Sequence, residues 1–260
     1  MRLILHADDF GSSSDTVRAT IECFEQGVLT SASIMPGMPA TAQATEYARA
    51  HPELDFGVHL TFVGGDDERP LSAPDEIPAL TTPDGDFRPT RQLRIRALLH
   101  RLPVEQIERE LVCQIEEVRR AGVEISHVDS HRHMHKLPSF RQALERALPR
   151  LGIRRVRAVQ DVYLKKPITS PTYWLGPRWA RRLASAFTTT DHFFMPTSAG
   201  DTGWEHGLSE AVRRLRGQTL EVGVHPGFES WRDQERTSLV SFAALARDGG
   251  HDLVAWKDIA

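Results

Sequence analysis

The chain has 260 residues, of which 32 are basic and 35 acidic, for a net charge of -3. That balance argues against a general nucleic-acid binder, and the length suits one large core of the kind α/β barrels build. Two cysteines, Cys23 and Cys113, exclude a disulfide framework and a thiolate zinc site. The first apolar run is interrupted by His6 and Asp8, and no stretch reaches about 18 apolar residues, so no transmembrane segment and a cytoplasmic location are expected.

Residues 2–7 read as a short buried strand that runs into Ala7-Asp8-Asp9-Phe10-Gly11. Adjacent buried carboxylates repel unless a cation lies between them, and a divalent metal is the simplest such cation. The alternative is that Asp8 and Asp9 cap the helix announced by Ser12-Ser13-Ser14-Asp15. That helix covers 15–26 and stops at Gly27. A second strand follows at 30–35, and Pro39 opens a helix that Pro52 ends. The third strand, 55–62, places Phe56, Val58 and Leu60 on one face and Gly57, His59 and Thr61 on the other.

Residues 63–89 carry Gly, Pro and Asp without a sustained period and read as a long excursion, the kind of segment used for lids and binding loops. A strong helix spans 103–121, with Ile107, Leu111, Ile115 and Val118 on its apolar stripe. The fourth strand starts near 125 and enters a histidine cluster. Then come a helix at 140–151, a strand-like stretch at 154–159, an irregular segment at 160–177 and a helix at 174–187. Strands at 192–195, 219–225 and 253–256 alternate with helices at 208–215 and 238–247.

Such alternation implies a parallel sheet covered by helices, and no glycine-rich nucleotide-binding turn is present. Asp8, His59, His131 and His225 fall at or just past the carboxyl ends of strands. This favours a TIM-like (β/α) barrel of seven or eight strands, with 1–260 as one domain.

The densest cluster is His127-Val128-Asp129-Ser130-His131-Arg132-His133-Met134-His135. In an extended strand Asp129, His131, His133 and His135 point one way; in a helix His131 and His135 share a face. Both geometries stay open. Imidazole and carboxylate together suit zinc and its neighbours, whereas magnesium prefers oxygen. Such an ion acidifies a bound water, to about pH 7 in the best zinc sites, and polarises a carbonyl, so amide or ester hydrolysis is the natural reaction class. His59 alone reads as a hydrogen-bonded core residue, the alternative being a ligand, and His225 repeats its setting on the seventh strand. Arg155 and Arg157 share a face and read as ion-paired residues, the alternative being an anionic or hydroxyl-rich ligand. Arg178, Arg181 and Arg182 beside Trp174 and Trp179 read as a solvated helix face over buried tryptophans, the alternatives being a lipid head group or a partner subunit.

With Ala7-Asp8-Asp9-Phe10-Gly11, Gly57-Val58-His59-Leu60, the 127–135 cluster and Gly223-Val224-His225-Pro226-Gly227 in order along the chain, the sequence resembles the YdjC-like carbohydrate deacetylases. That family includes the chitooligosaccharide deacetylases and the hopanoid-biosynthesis-associated HpnK branch, and the 63–89 excursion resembles the latter more. The resemblance implies a (β/α) barrel that removes acetyl groups from N-acetylated sugars, oligosaccharides or glycolipids with a divalent ion, Mg2+ or Zn2+. It implies that Asp9, His59 and His131 hold the ion, that Asp8 is the base and that His225 is the general acid. His6, Asp129, His133, His135 and Arg157 would support the site or touch substrate, and relatives suggest a homodimer.

Neighbouring strand residues point to opposite faces, so Asp8 and Asp9 can share a cavity only if the chain bends at the Phe10-Gly11 turn. Rival readings are a metal-dependent phosphoesterase, a sugar- or metal-binding barrel without catalysis, and a NodB-type deacetylase that uses His131 with His135 instead of His59.

Overall fold

Strands that are covered on both faces explain why these segments read as nearly continuous apolar runs interrupted by charge. The structure, a computed structural model, describes residues 1–64, 68–196 and 203–260, and at residues 171 and 172 the backbone alone. In chain order it contains β1 (Arg2–Phe10), α1 (Ser14–Glu25), β2 (Ser31–Ile34), α2 (Thr41–Ala50), β3 (Phe56–Leu60), α3 (Thr90–Leu98), α4 (Val104–Arg120) and β4 (Val128–Ser130). There follow a 3-10 turn (His131–Lys136), α5 (Pro138–Ala147), α6 (Pro171–Ala184), β5 (His192–Phe194), α7 (Trp204–Val212), β6 (Thr219–Val224), α8 (Ser230–Asp248) and β7 (Asp252–Leu253).

The strands pair in parallel in the order β4-β3-β2-β1-β6-β5, with β7 beside the start of β1. Four strand spacings separate β4 from β6, about 19 Å on a flat sheet. Yet the Arg157 guanidinium lies 2.6 Å from Asp129 on β4 and 2.8 Å from Glu221 on β6. The sheet is therefore strongly curled.

It is a half-barrel rather than the closed barrel of seven or eight strands that the sequence suggested. The expected strand over 154–159 is present only as isolated bridges, Val128 to Val156 and Arg155 to Thr188, while Val162 bridges to Phe194. Its hydrogen bonds are divided between β4 and residue 188, so no single neighbour holds it long enough to make a ladder.

Strand periodicity sorts the residues. Leu3, Leu5 and Ala7 of β1 face the helices and join the main core, while Ile4, His6 and Asp8 face the concave side. The lower part of that side is plugged by Trp256, which packs with Ile4 and Ile259 and stacks on His127 at 5.0 Å. Above the plug the lining is polar, unlike the branched aliphatic layers of an ordinary barrel interior.

The excursion after β3 is anchored rather than free. Glu110 on α4 accepts the backbone N–H groups of Leu71 and Ser72, and Gln106 accepts that of Ala79. Ile77, Leu80 and Phe87 are buried in the core. Helix α3, which the aperiodic reading missed, follows it. Among the described residues no helix is long and apolar enough to cross a membrane.

Candidate active site

The end of β1 solves the geometric conflict between its two carboxylates. Pairing with β2 slips between Ala7 and Phe10, so three steps on β1 match two on β2. Asp9 itself takes the left-handed conformation, with φ of 59°. This is a bulge, and it turns Asp9 toward the same side as Asp8. The expected bend exists, but it lies within the strand rather than at Phe10-Gly11. Left-handed non-glycine backbone is uncommon and is tolerated best by Asp and Asn.

Asp9 meets two imidazoles there. Its Oδ1 lies 3.4 Å from His59 Nε2 and 3.2 Å from His131 Nδ1, and one ligand atom from each residue falls within a 4.8 Å cluster. His59 Nδ1 donates to Asp129 Oδ1 at 2.9 Å. An ionised carboxylate only accepts, so this bond leaves the Nε2 lone pair of a neutral His59 aimed at Asp9. That buried Nε2 has no hydrogen-bond partner. A carboxylate behind the imidazole and a free nitrogen in front is the arrangement of a metal-ligating histidine. His131 also has a carboxylate behind it, with Nε2 3.3 Å from Glu68 Oε1, while its Nδ1 is hydrogen-bonded to Asp9 Oδ1 at 3.2 Å.

The charges agree. Burial disfavours ionised Asp9, but His131, His225 and His59 hold it well below the ordinary carboxylate range. Burial also disfavours charged His59, yet Asp129, Asp8 and Asp9 outweigh it and lift the ring to about 9. A cluster that attracts a proton this strongly has excess negative charge that a divalent cation would neutralise. The donor set, two imidazoles and a carboxylate, fits such an ion.

Asp8 lies behind, paired through both oxygens to Arg157 at 2.6 and 2.7 Å. Arg157 also reaches Asp129 and Glu221 and is fully buried, so the ion-paired reading of this arginine holds. Burial lowers its pKa, but the three acids raise it well above the usual value. His6 sits 3.6 Å from Asp8 and 3.0 Å from Ser33 Oγ, and burial beside Arg157 and His127 keeps it neutral. Arg155 instead holds the carbonyls of Lys257 and Ile259.

His225 stands on the other side of Asp9, just past β6. Glu235 Oε2 accepts both its backbone N–H at 2.9 Å and its Nδ1 at 3.0 Å. Burial lowers the imidazole pKa, but the Glu235 bond and the charges of Asp9, Glu235 and Asp8 raise it above the ordinary value. Arg232 donates to Asp9 Oδ2 at 2.9 Å and packs on the Trp231 ring. It can lie there because residue 227 is glycine; a Cβ would stand 2.6 Å from its side chain. Gly57 likewise makes room for His127, whose ring would be 2.5 Å from a Cβ.

The histidine cluster adopts neither expected geometry. The strand ends at Ser130, and Arg132 and His133 both have φ of 53°, so the alternation is broken after His131. His133 packs edge-on to Phe193, and His135 turns back to Ser130 Oγ at 2.7 Å. Burial drives the His133 pKa well down and that of His135 to about 3. Asp129 converges on the cluster as expected, whereas His133 and His135 do not. The NodB-like pairing of His131 with His135 is not formed.

Glu68, Arg232, Glu235 and Glu221 escaped the sequence reading. Glu221 shares the strand face of Gly223 and His225, a signal that was present. Glu235 and Arg232 precede the expected helix start at 238, because α8 begins at Ser230. Glu68 lies in aperiodic chain and had no signal. A cavity of about 660 Å³ opens at the amino-terminal end of the sheet, lined by Asp55, Ser126, Arg155 and Lys257, away from this cluster.

With the geometry in hand, comparison with known proteins is direct. Residues 2–252 match the family described as YdjC-like protein. The chain belongs to this YdjC-like family. A carbohydrate deacetylase of Geobacillus stearothermophilus is 32% identical over 228 residues, 86% of this chain and 79% of that one. One from Halalkalibacterium halodurans is 38% identical over 135 residues, 52% of this chain and 54% of that one. A crystal structure from Enterococcus faecalis V583, of a protein described in terms of cellobiose-phosphate cleavage, superimposes with a TM-score of 0.80 at 22% identity. It covers 100% of this chain and 98% of that one, so the two share one fold along their whole length.

Proposed function

We propose that this YdjC-like protein is a metal-dependent carbohydrate N-deacetylase, hydrolysing the acetamido group of an N-acetylated sugar or glycan. The observation that carries the reading is the unpartnered Nε2 of His59 facing Asp9 and His131. The deacetylase names of the relatives support the substrate class. Asp9, His59 and His131 would hold one divalent ion, which when bound would acidify a water and polarise the acetyl carbonyl.

Asp8 acts as the base. Arg157 fixes its carboxylate in one orientation, and a carboxylate has about four lone-pair sites, so two bonds to Arg157 leave acceptor capacity for the proton of the attacking water. His225, kept protonated by Glu235 and the neighbouring acids, supplies a proton to the leaving amine nitrogen. Breaking the C–N bond then yields acetate and a free amine. Arg232 and Glu68 hold the outer oxygen of Asp9 and the outer nitrogen of His131.

Phosphoester hydrolysis is less well supported. A second acid and histidine group, His6 with Asp8 and Asp129, lies beside the first, but Arg157 already bonds both of its carboxylates. That leaves little reason for the second ion a two-metal phosphatase uses. The test is acetate release from N-acetylated glycans by protein loaded with Zn2+ or Mg2+, run beside phosphate release from sugar phosphates. Acetate alone is expected; phosphate without acetate would overturn the assignment.

A further inference from the structure

The sequence led to an expectation of buried tryptophans behind a solvated arginine face on α6, and only part of that holds. Gly176, Trp179 and Leu183 turn inward, but Trp174 is 68% exposed. Its indole N–H is satisfied by the Ile168 carbonyl at 2.9 Å, which leaves the ring itself facing solvent. Ile168 is 62% exposed, and Leu164 and Leu175 are exposed beside it in the chain. Tyr163, Tyr173 and Trp174 touch edge-to-face and give this apolar group a rigid base.

Residues 162–190 contain Lys165, Lys166, Arg178, Arg181 and Arg182 and no acid, in a chain whose net charge is -3. All five cations are exposed, and among the described residues none has an ion-pair partner. Cations usually decorate helices together with acids that pair them; here the compensating charge is missing. The outward face of α6 starts with Trp174 and Leu175 and continues with the three arginines.

A second helix is similar in composition, though Arg88, Arg94 and Arg96 there are half-buried and donate to backbone carbonyls. Residues 87–104 hold five arginines and no acid, with Ile95, Leu98 and Leu99 exposed on α3 and after it. Both helices reach the 3-10 turn that carries His131: Arg94 donates to the Arg132 carbonyl at 2.7 Å, and α6 packs on the turn.

We propose that α6, with the loop before it and with α3 as a second contact, docks this protein on an anionic lipid bilayer. Arginine and lysine would meet the headgroups while Trp174, Ile168 and Leu175 enter the interfacial layer, the division of labour of an interfacial helix. The apolar side chains among the cations favour a bilayer over a purely polyanionic partner. A second copy placed on the same face would bring these like charges together, which disfavours a symmetric dimer there. The docking is independent of the hydrolytic reading, because none of these side chains belongs to the metal cluster.

The experiment is co-sedimentation of the full chain with phosphatidylcholine vesicles, with and without phosphatidylglycerol, at low and high salt. Binding to the anionic vesicles that weakens with salt is expected. The combined Arg178→Gln, Arg181→Gln and Arg182→Gln protein should lose on the order of 100-fold in partitioning, and Trp174→Ala about tenfold. These exposed positions should leave the thermal transition in place. Equal or absent binding to the two vesicle types, or binding that survives both variants, would overturn the proposal. So would a dimer in sedimentation velocity that Trp174→Ala dissociates.

Discussion

Two groups of acid and histidine side chains lie next to each other on the concave face, and they differ in what neutralises them. Behind, Asp8, Asp129 and Glu221 close around the guanidinium of Arg157. In front, Asp9 has two imidazoles and one outer arginine, and the nitrogen of His59 that faces it is unbonded. Residue types alone do not separate them, since both bring a histidine and carboxylate together within ligand distance. The difference is where the chain's cation sits: the fully buried Arg157 bridges all three acids behind, whereas Arg232 meets only the outer oxygen of Asp9 and leaves the inner one to the imidazoles. A buried acid group whose oxygens are tied to a guanidinium serves to orient; one whose inner oxygen faces imidazole nitrogens is arranged for an ion.

This contrast can be broken most severely at Asp8. The Asp8→Asn protein should lose about 10²- to 10⁴-fold in turnover while binding metal as the parent does, because general-base assistance is worth roughly that much. Acetate release and metal content measured on the same sample decide it. Full activity would remove Asp8 from the role of base.

Arg157→Met should be nearly as damaging, but to stability. It leaves three carboxylates buried without their cation, a loss of about 3–5 kcal/mol, read as a shift in the urea midpoint. An unchanged midpoint would mean that the rear group does not depend on Arg157.

The front group should respond to pH through competition between proton and ion. With its pKa lifted to about 9, His59 carries a proton that metal must displace. Apparent affinity should therefore fall as pH drops below about 9, by about tenfold per unit for one displaced proton. Titration calorimetry in buffers of different ionisation enthalpy would count that proton.

The smallest effect sharpens the opposite wall. His225 has a raised pKa, so its acid form persists above the ordinary histidine range and activity should fall only as pH rises through that raised value. Glu235→Gln removes a charge that raises it, so the alkaline limb of kcat/KM should move to lower pH. A limb that stays in place would assign it to another group.

Much of this was legible because strand alternation is strict. Gly57-Val58-His59 and Gly223-Val224-His225 place histidines on the face opposite the aliphatic residues, and the conflict between Asp8 and Asp9 required a bend. Other features are not written in local pattern. The left-handed Arg132 and His133 carry no signal, so His133 and His135 were grouped with His131 when the chain in fact turns away after it. Glu68 arrives from aperiodic chain whose nearby residues, Leu71 and Ser72, are held by Glu110, contacts across 39 and 38 residues that no periodicity reports. Barrel closure failed at 154–159, which reads as a strand but whose hydrogen bonds are divided among neighbours.

The most direct test of the account is metal stoichiometry by elemental analysis on the parent, His59→Ala and His135→Ala proteins. One ion per chain is expected in the parent and in His135→Ala, and none retained in His59→Ala. An ion that survives loss of His59, or that leaves with His135, would contradict the placement of the metal at Asp9, His59 and His131.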